Sequence, residues 1–287
     1  MEVSVTNNDI ILTNVSDFNL RHIFDCGQCF RFNSIDENTY FGIAGNHALK
    51  ISQHENTVIL YDTPKEDFYN IWYNYFDFNT DYARIKNSLR TDKHMELAVD
   101  YGCGIRILRQ DLWETVISFI ISASNNIPRI KGIIERLCEN FGNKIEYMGK
   151  IYYGFPGIEK LASLSSEDLA VIRSGFRDKY IMDAADKFYT GEISEDTLKS
   201  SSDPKKLLLT VKGIGEKVAN CILLFGFGKR DAFPVDVWIK RIMEYCYFDS
   251  EMPNSAIAEF AGRKFGSLGG YAQQYLFFWA RDNGIGV

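Results

Sequence analysis

The sequence lacks a long apolar segment. Its longest uncharged apolar run covers residues 116–123, far short of the roughly 20 residues that a membrane-spanning helix needs. The first residues, MEVSVTNNDIILTNVSDF, also lack the basic region and apolar core of a secretory signal. We therefore expect no membrane-spanning segment and a cytoplasmic location.

The sequence also lacks an excess of positive charge. It has 32 Lys and Arg against 38 Asp and Glu, for a net charge of -6 and a pI near 5.4. Taken alone, this balance argues against nucleic-acid binding. The argument is weak, because net charge does not describe local patches and backbone amides can hold phosphates without lysines.

A paired set of metal ligands is missing as well. Cys26 and Cys29 have the spacing of half a zinc site, but no second pair follows, and the four histidines do not cluster nearby. Six cysteines dispersed through a long chain are typical of reduced thiols. We expect no metal, and two small half-buried residues beside a turn.

Two patterns of apolar residues divide the chain. From about Ile10 to Tyr61, short runs rich in β-branched and aromatic residues are broken by turn signals, as in an antiparallel meander. From Lys65 onward apolar residues recur at helical spacing, as in the stripe Trp113, Val116, Ile117, Ile120 and Ile121. The sequence predicts an α+β fold with an antiparallel sheet domain at residues 1–95, followed by a larger all-helical region at residues 96–287.

The stretch TVKGIGEKVANC, residues 210–221, contains a glycine turn. A dinucleotide fingerprint would need a third glycine where Val218 stands and a preceding strand, whereas Pro204 and its neighbours favour a short helix. A Walker loop is absent. Gly213 and Gly215 thus join two helices, and their amides either hold a phosphate or simply turn the chain.

Two ionisable residues follow this turn. Lys217 lies in the first turn of the second helix, where the helix dipole disfavours an ammonium, and Cys221 lies one turn further along the same face. Asp236 opens the next helical stretch, so it is an N-cap candidate. A solvated lysine and a capping aspartate are one interpretation; a nucleophilic amine beside a carboxylate in one cleft is the other.

Several motifs together resemble a known family. VKGIGEKVANC followed by FPVDVW resembles the helix-hairpin-helix, glycine-proline-aspartate superfamily of DNA base-excision glycosylases. DCGQCFRF at 25–32, SASNNIPRIKGIIERLCENFG at 122–142, SGFRDKY and YAQQYLFFWA are similar to its 8-oxoguanine DNA glycosylase branch. The resemblance implies a helical core of two subdomains, with the N-terminal segment packed against the C-terminal helices.

The resemblance also implies the activity. The chain would be a bifunctional glycosylase and lyase that excises 8-oxoguanine paired with cytosine from double-stranded DNA, as a monomer, nucleoid-associated if prokaryotic. Lys217 would attack the anomeric carbon of the flipped nucleotide to form a Schiff base, and Asp236 would stabilise the developing charge. No cofactor would be required, although a cation at the hairpin carbonyls could bridge to DNA phosphate.

Further residues match the family's base-reading positions. The carbonyl of Gly27 would detect the extra ring proton of 8-oxoguanine, Gln273 would read its pairing edge, and Phe277 and Cys221 would sandwich the base. For the last two, a purely packing role stays open. A glycine turn is the alternative for Gly27.

Other matches concern the opposite strand. Arg129 and Arg177 match the arginines that read the unpaired cytosine, and Phe176 stands at the position of a wedging tyrosine. The residue that fills the vacated stack is Ser124, Asn125 or Asn126, and we assign Asn126. Trp238 replaces a phosphate-contacting histidine, and Ala280 an aspartate, so that phosphate contact is not carried over.

Two alternatives to this activity remain. One is a glycosylase for another damaged purine; the other is a non-catalytic DNA-binding hairpin protein. A non-catalytic protein would need neither Lys217 nor Asp236. A glycosylase that only activates water would need Asp236 alone.

Overall fold

The computed structural model describes residues 1–285, in which strands precede most of the helices. The strands are β1 Glu2–Thr6, β2 Asp9–Thr13, β3 Phe32–Ser34, β4 Thr39–Ala44, β5 His47–His54, β6 Thr57–Tyr61, β7 Lys144–Tyr147 and β8 Lys150–Tyr153. The helices of the first half are α1 Leu20–Phe24, α2 Lys65–Asp67, α3 Tyr73–Tyr75, α4 Tyr82–Leu89, α5 Lys93–Tyr101, α6 Leu112–Ser122 and α7 Ile127–Phe141, with a π-helical turn at Phe68–Trp72.

The remaining helices complete the second half of the chain. They are α8 Ile158–Ala162, α9 Ser166–Leu169, α10 Asp178–Tyr189, α11 Glu195–Ser200, α12 Pro204–Leu208, α13 Glu216–Phe225, α14 Val237–Tyr247, α15 Asn254–Phe265 and α16 Gly269–Asn283, with 3-10 turns at Ala170–Ile172, Gly175–Arg177 and Gly266–Leu268. None of the helices in residues 1–285 is both long and apolar enough to cross a membrane.

The N-terminal strands β1 to β6 form one antiparallel sheet, in the order β1-β2-β6-β5-β4-β3. Alternation sets which face is buried: Leu49 of β5 and Leu60 of β6 are fully buried, while the residues on either side of each are only half-buried. The predicted antiparallel sheet is confirmed. Its first strand, β1, begins before the predicted start at Ile10 and pairs with β2.

The prediction that the region after the sheet domain is all-helical is wrong at one place. Strands β7 and β8 form a two-stranded hairpin whose central residues, Met148 and Gly149, both have positive φ. Such a turn matches the twist of two antiparallel strands, so the short run KIEYMGKIYY pairs with itself. The hairpin packs on the sheet, because the Tyr147 hydroxyl accepts from Lys50 N at 3.0 Å and donates to Tyr61 O at 2.6 Å.

Two hydrophobic clusters form the core, and the segment 25–32 lies on their border. Cys26 and Phe30 belong to the helical cluster, whereas Cys29 and Phe32 belong to the cluster beneath the sheet. The segment is therefore anchored from both sides. The predicted boundary near residue 95 lies inside α5, which packs with the helical cluster, and it stays a prediction.

The N-terminal part of the chain also contacts the last helix. Arg21 of α1 and Tyr101 of α5 both reach the carboxylate of Asp282, at 2.6 and 3.0 Å. Tyr82 of α4 meets Tyr271 of α16 edge-on, with ring centroids 5.7 Å apart. These contacts hold α1, α4 and α5 against α16, and Gly27 of segment 25–32 lies beside Phe277 of the same helix.

Candidate active site

The glycine turn joins α12 to α13, as predicted. Asp203 caps α12 by accepting from Lys206 N at 3.1 Å, and Pro204 occupies its first turn. Gly213 has φ +84, and a Cβ there would lie 2.4 Å from the ring of Tyr180. Only glycine fits this position without movement of Tyr180.

Gly215 is the N-cap of α13, and no side chain within residues 1–285 caps this helix. The first amides of α13 therefore have no side-chain acceptor, which is the arrangement that binds an anion at a helix start. The turn itself is tied down by Asp183, whose carboxylate accepts from Lys212 N at 2.9 Å.

Lys217 and Asp236 lie on the wall of one cleft of about 630 Å³. Lys217 is the second residue of α13 and is half-buried, with its Nζ 5.4 Å from the centre of the Phe119 ring. Gly213 and Gly215 line the same cleft. The structure thus brings the hairpin, the amine and the carboxylate together.

Asp236 caps α14, because one of its carboxylate oxygens accepts from Ile239 N at 2.8 Å. The other oxygen makes no hydrogen bond to residues 1–285. The capping interpretation and a position on the cleft wall therefore hold together. A carboxylate held by its own helix keeps its position when a positive charge develops nearby.

Cys221 lies next to this pair. Burial raises the pKa of its thiol, the charge of Lys217 and a hydrogen bond from it oppose the rise, and the carboxylate of Asp236 adds to it. The thiol is therefore protonated at neutral pH and offers a polarisable, apolar surface rather than a second nucleophile.

The predicted base-reading residues form a second group, between segment 25–32 and α16. The ring of Phe277 covers Gly27 so closely that a Cβ on Gly27 would lie 3.3 Å from it. Gln273 is buried, and its oxygen accepts from Gln274 Nε2 at 2.9 Å. Gly27, Gln273 and Phe277 are not among the described residues that line the cleft around Lys217.

Gln28 holds the Gly27 turn in place, a role that the sequence did not indicate. Its side chain is fully buried and makes three hydrogen bonds to backbone: Nε2 donates to Ile23 O and Arg106 O, both at 2.8 Å, and Oε1 accepts from Leu108 N at 2.9 Å. The φ of Gly27 is +78, so the turn next to Gln28 requires glycine.

The residues predicted to face the opposite strand cluster around the end of α6. Arg177 is buried, and its guanidinium donates to Ala123 O at 2.5 and 3.2 Å, to Ser124 O at 3.2 Å and to Ser174 O at 3.1 Å. In this structure the fork of Arg177 therefore stabilises the loop on the cleft wall. Phe176 is exposed, with the Arg177 guanidinium 4.6 Å from its ring centre.

The three candidates for the stack-filling residue differ in position. Ser124 and Asn125 line the cleft, and Ser124 has φ +50. Asn126 lies outside the lining and caps α7 by accepting from Arg129 N at 3.0 Å. Arg129 itself is exposed. The assignments of Asn126 and Arg129 stay predictions.

Some cleft residues were not singled out from the sequence. Val235, Val237, Lys240 and Asn254 complete the wall near Asp236. Lys240 could have been found, because it lies four residues after Asp236 and so on the same helix face. Trp238 also lines the cleft, and Ala280, the other replaced position, is fully buried in α16.

The cysteine pair near the N terminus is not arranged as a metal site. Cys26 and Cys29 are buried, not half-buried as predicted, and burial raises the pKa of the Cys26 thiol to about 12. Within residues 1–285, no group of three or more histidine, cysteine or acidic side chains could hold a metal ion.

A sheet domain, a helical core and a helix-hairpin-helix with a lysine and an aspartate in one cleft define a DNA base-excision repair protein. The family model for the 8-oxoguanine DNA glycosylase N-terminal domain matches residues 10–116. That for the HhH-GPD superfamily base excision DNA repair protein matches residues 117–266. The chain belongs to the 8-oxoguanine DNA glycosylase family of this superfamily.

Similar proteins are found by sequence and by structure. A probable N-glycosylase/DNA lyase of Methanothermobacter thermautotrophicus is 32% identical, over 68% of this chain and 69% of its own. N-glycosylase/DNA lyase OGG1 of Arabidopsis thaliana is 27% identical, over 88% and 75%. The 8-oxoguanine glycosylase/lyase of Clostridium acetobutylicum, solved with double-stranded DNA containing cytosine opposite 8-oxoguanine, is 42% identical, over 99% of both chains, with a TM-score of 0.95.

Proposed function

We propose that this protein is a bifunctional DNA glycosylase and lyase that excises 8-oxoguanine paired with cytosine. The observation that carries the proposal is the cleft in which Lys217 and Asp236 lie beside the glycine hairpin. The family membership and the similarity to glycosylase/lyases support the substrate class. The partner is double-stranded DNA with an oxidised purine, bound by a monomer.

Lys217 is the nucleophile in this proposal. Its neutral amine attacks C1′ of the flipped nucleotide, the bond from C1′ to the base breaks, and the base leaves with the electron pair and takes up a proton. The sugar ring then opens to give an imine between Nζ and C1′. Loss of a C2′ proton expels the 3′ phosphate and nicks the strand.

Asp236 stabilises the positive charge that develops on the sugar as the base leaves. Its free carboxylate oxygen also accepts and returns the protons that the amine loses. Because the other oxygen caps α14, the carboxylate does not need to reorganise during the reaction.

Base selection is assigned to the second group of residues. The carbonyl of Gly27 accepts the ring N–H that 8-oxoguanine has and guanine lacks; facing a lone pair instead costs about 1–3 kcal/mol or more. Gln273 reads the pairing edge, while Phe277 and Cys221 contact the two faces of the base. The ring of Phe277 now covers Gly27, so it must shift when a base enters.

The contacts with the DNA strands are assigned to the glycine hairpin and to the residues around the end of α6. The uncapped amides at Gly213 and Gly215 bind a phosphate. Arg129 and Arg177 read the cytosine left unpaired, Phe176 wedges the duplex, and Asn126 fills the vacated stack. Arg177 must exchange at least one of its bonds to Ala123 or Ser124 to reach a base.

Borohydride trapping on duplex DNA with 8-oxoguanine opposite each normal base tests the proposal. We expect a covalent adduct with wild-type protein, most with cytosine opposite, and its loss in Lys217→Gln with an excision rate lower by a factor on the order of 10³ or more. Lys229→Gln is the matched control, since Lys229 is an exposed lysine paired with Asp231 at 3.3 Å.

Two results would contradict this assignment. An active wild-type protein that gives no adduct would exclude the Schiff base, and an adduct retained in Lys217→Gln would assign it to another amine. If Arg129→Ala kept the preference for paired cytosine, the reading role of Arg129 would be wrong.

A further inference from the structure

The charges on the cleft wall are few. Among the described residues that line it, only Lys217, Asp236 and Lys240 are ionisable. In the proposed reaction Lys217 attacks as a neutral amine and Asp236 is an anion, so Lys240 is the one cation among residues 1–285 on this wall that takes no part in the chemistry. The chain as a whole carries a net charge of -6, and a DNA strand adds one negative charge per nucleotide.

Lys240 makes one long ion pair and has room for a second anionic ligand. It lies one turn after Asp236 on α14, with about a third of its side chain (34%) exposed. Its ion pair with Glu244, one turn further along α14, has an N–O distance of 3.6 Å, longer than the 2.7–2.9 Å, approximately, of a charge-assisted hydrogen bond. Glu244 is itself engaged, because its Oε1 accepts from Met252 N at 2.7 Å.

A second donor lies on the same wall. Asn254, the first residue of α15, lines the cleft and is exposed. The hydrogen bonds of the described residues include none from its side-chain amide. Lys240 and Asn254 therefore offer a point charge and a neutral donor from two different helices, with Trp238 and Val237 also on this wall.

We propose that Lys240 and Asn254 form a binding site for one phosphodiester group of the DNA strand that enters the cleft. This site is separate from the hairpin amides and on the Asp236 side of the cleft. It holds the strand while the nucleotide is displaced toward Lys217, and its cation offsets the repulsion between Asp236 and the backbone. The inference rests on the proposed function.

The test is the salt dependence of binding to a duplex containing a tetrahydrofuran abasic analogue, which the enzyme cannot cleave through an imine. Lys240→Met should weaken binding about tenfold and reduce the slope of log K against log salt by about 0.9, the value for one phosphate contact. Lys240→Arg should restore the slope. Asn254→Ala should weaken binding but leave the salt slope unchanged. Lys229→Met is the control, because Lys229 is an exposed lysine that does not line the cleft.

The phosphate can be located with neutral methylphosphonate groups placed singly around the analogue. At one position the wild-type protein should lose affinity to the level of Lys240→Met, and Lys240→Met should lose nothing further. An unchanged salt slope in Lys240→Met, or equal losses for both proteins at every position, would overturn the site. Failure of wild-type protein to excise 8-oxoguanine would instead overturn the proposed function, which this binding measurement does not use.

Discussion

At the residue scale, the proposed reading of the base by the Gly27 carbonyl depends on a side chain that need not touch the base. Gln28 ties the Gly27 turn to the backbone of Ile23, Arg106 and Leu108 from a fully buried position. A carbonyl selects by the position of one proton, so a shift of a few tenths of an ångström in the turn weakens the distinction. Gln28 is a positioning residue.

We predict that Gln28→Met lowers the preference for 8-oxoguanine over guanine about tenfold or more, because each buried backbone group left without a partner costs about 1–3 kcal/mol. The measurement is the ratio of single-turnover excision rates on the two bases. Gln110→Leu is the milder variant, since Gln110 Nε2 only donates to Gln28 O at 2.7 Å.

Gln53→Met is the matched control for this prediction. Gln53 also bonds to backbone through its side chain, accepting from Leu20 N at 3.0 Å and donating to Phe18 O at 2.8 Å, but it lies in the sheet. We expect Gln53→Met to be less stable than wild type but to keep the wild-type ratio of excision rates on 8-oxoguanine and guanine. Equal changes of the ratio in Gln53→Met and Gln28→Met would show that Gln28 acts only through stability.

Single residues were predictable where a motif carried them. Lys217 and Asp236 follow from a glycine turn and an N-cap signal, and the structure places both on one cleft. Gln28 could not be assigned in the same way, because a buried amide depends on partners distant in sequence. Arg106 and Leu108, whose backbone groups it bonds, become its neighbours only after folding.

At the element scale, the two glycines in the turn between α12 and α13 have different roles. Gly213 has positive φ and no room for a Cβ beside Tyr180, whereas Gly215 has an extended backbone and open space around it. The first glycine is needed for folding. The second leaves the helix start open to a phosphate.

We predict that Gly213→Ala lowers the free energy of unfolding by roughly 1–3 kcal/mol or more, from backbone strain and overlap with Tyr180. Gly215→Ala should cost less than about 1 kcal/mol and yet weaken DNA binding several-fold, because its methyl group would occupy the open space at the helix start that the proposed phosphate needs. Urea unfolding and DNA titration of both variants are the measurements. Full affinity in Gly215→Ala would place the phosphate elsewhere.

Elements were predictable where periodicity ran long enough. The buried stripe from Trp113 to Ile121 defines α6, and Asp203 with Pro204 marks the start of α12. The hairpin of β7 and β8 was missed because strands of four residues carry too little alternation beside a helical pattern. Its stability comes from contacts with the sheet, such as those of Tyr147.

At the scale of the whole molecule, α6 is joined to the sheet through Glu114. This half-buried carboxylate accepts from Gly45 N, in the turn between β4 and β5, at 2.7 Å. Desolvation raises the pKa of Glu114 from 4.5 to about 7, against the opposing charge of Arg31 and the bond from Gly45. The folded protein therefore holds this proton more tightly than the unfolded chain does.

The contribution of Glu114 to stability should consequently be greatest below about pH 4.5 and fall as the pH rises toward 7. Its limit is about 1.4 kcal/mol per pH unit. Glu114→Gln keeps the acceptor without the titration, so its stability relative to wild type should rise between pH 5 and 7 and then level off. Urea unfolding of both proteins across this pH range tests the prediction. If the stability of Glu114→Gln relative to wild type fell as the pH rose, the ionised, paired carboxylate would be the stable form of Glu114.

The division of the whole chain into a sheet part and a helical part was predictable from the change in periodicity near Lys65. The resemblance implied that the N-terminal segment packs on the C-terminal helices, but which side chains join which cluster was not predictable. Cys26 and Cys29 are three residues apart yet belong to different clusters, and no local pattern shows which neighbour each will have.

Because segment 25–32 is anchored in both clusters, damage recognition and bond cleavage need not fail together on warming. Loosening at the border would displace Gly27 while Lys217 and Asp236, which are held by α13 and α14 of the helical part, kept their places. On heating, the enzyme would then lose its preference for 8-oxoguanine over guanine before it lost its excision rate. It would begin to excise intact guanine and so introduce strand breaks into undamaged DNA.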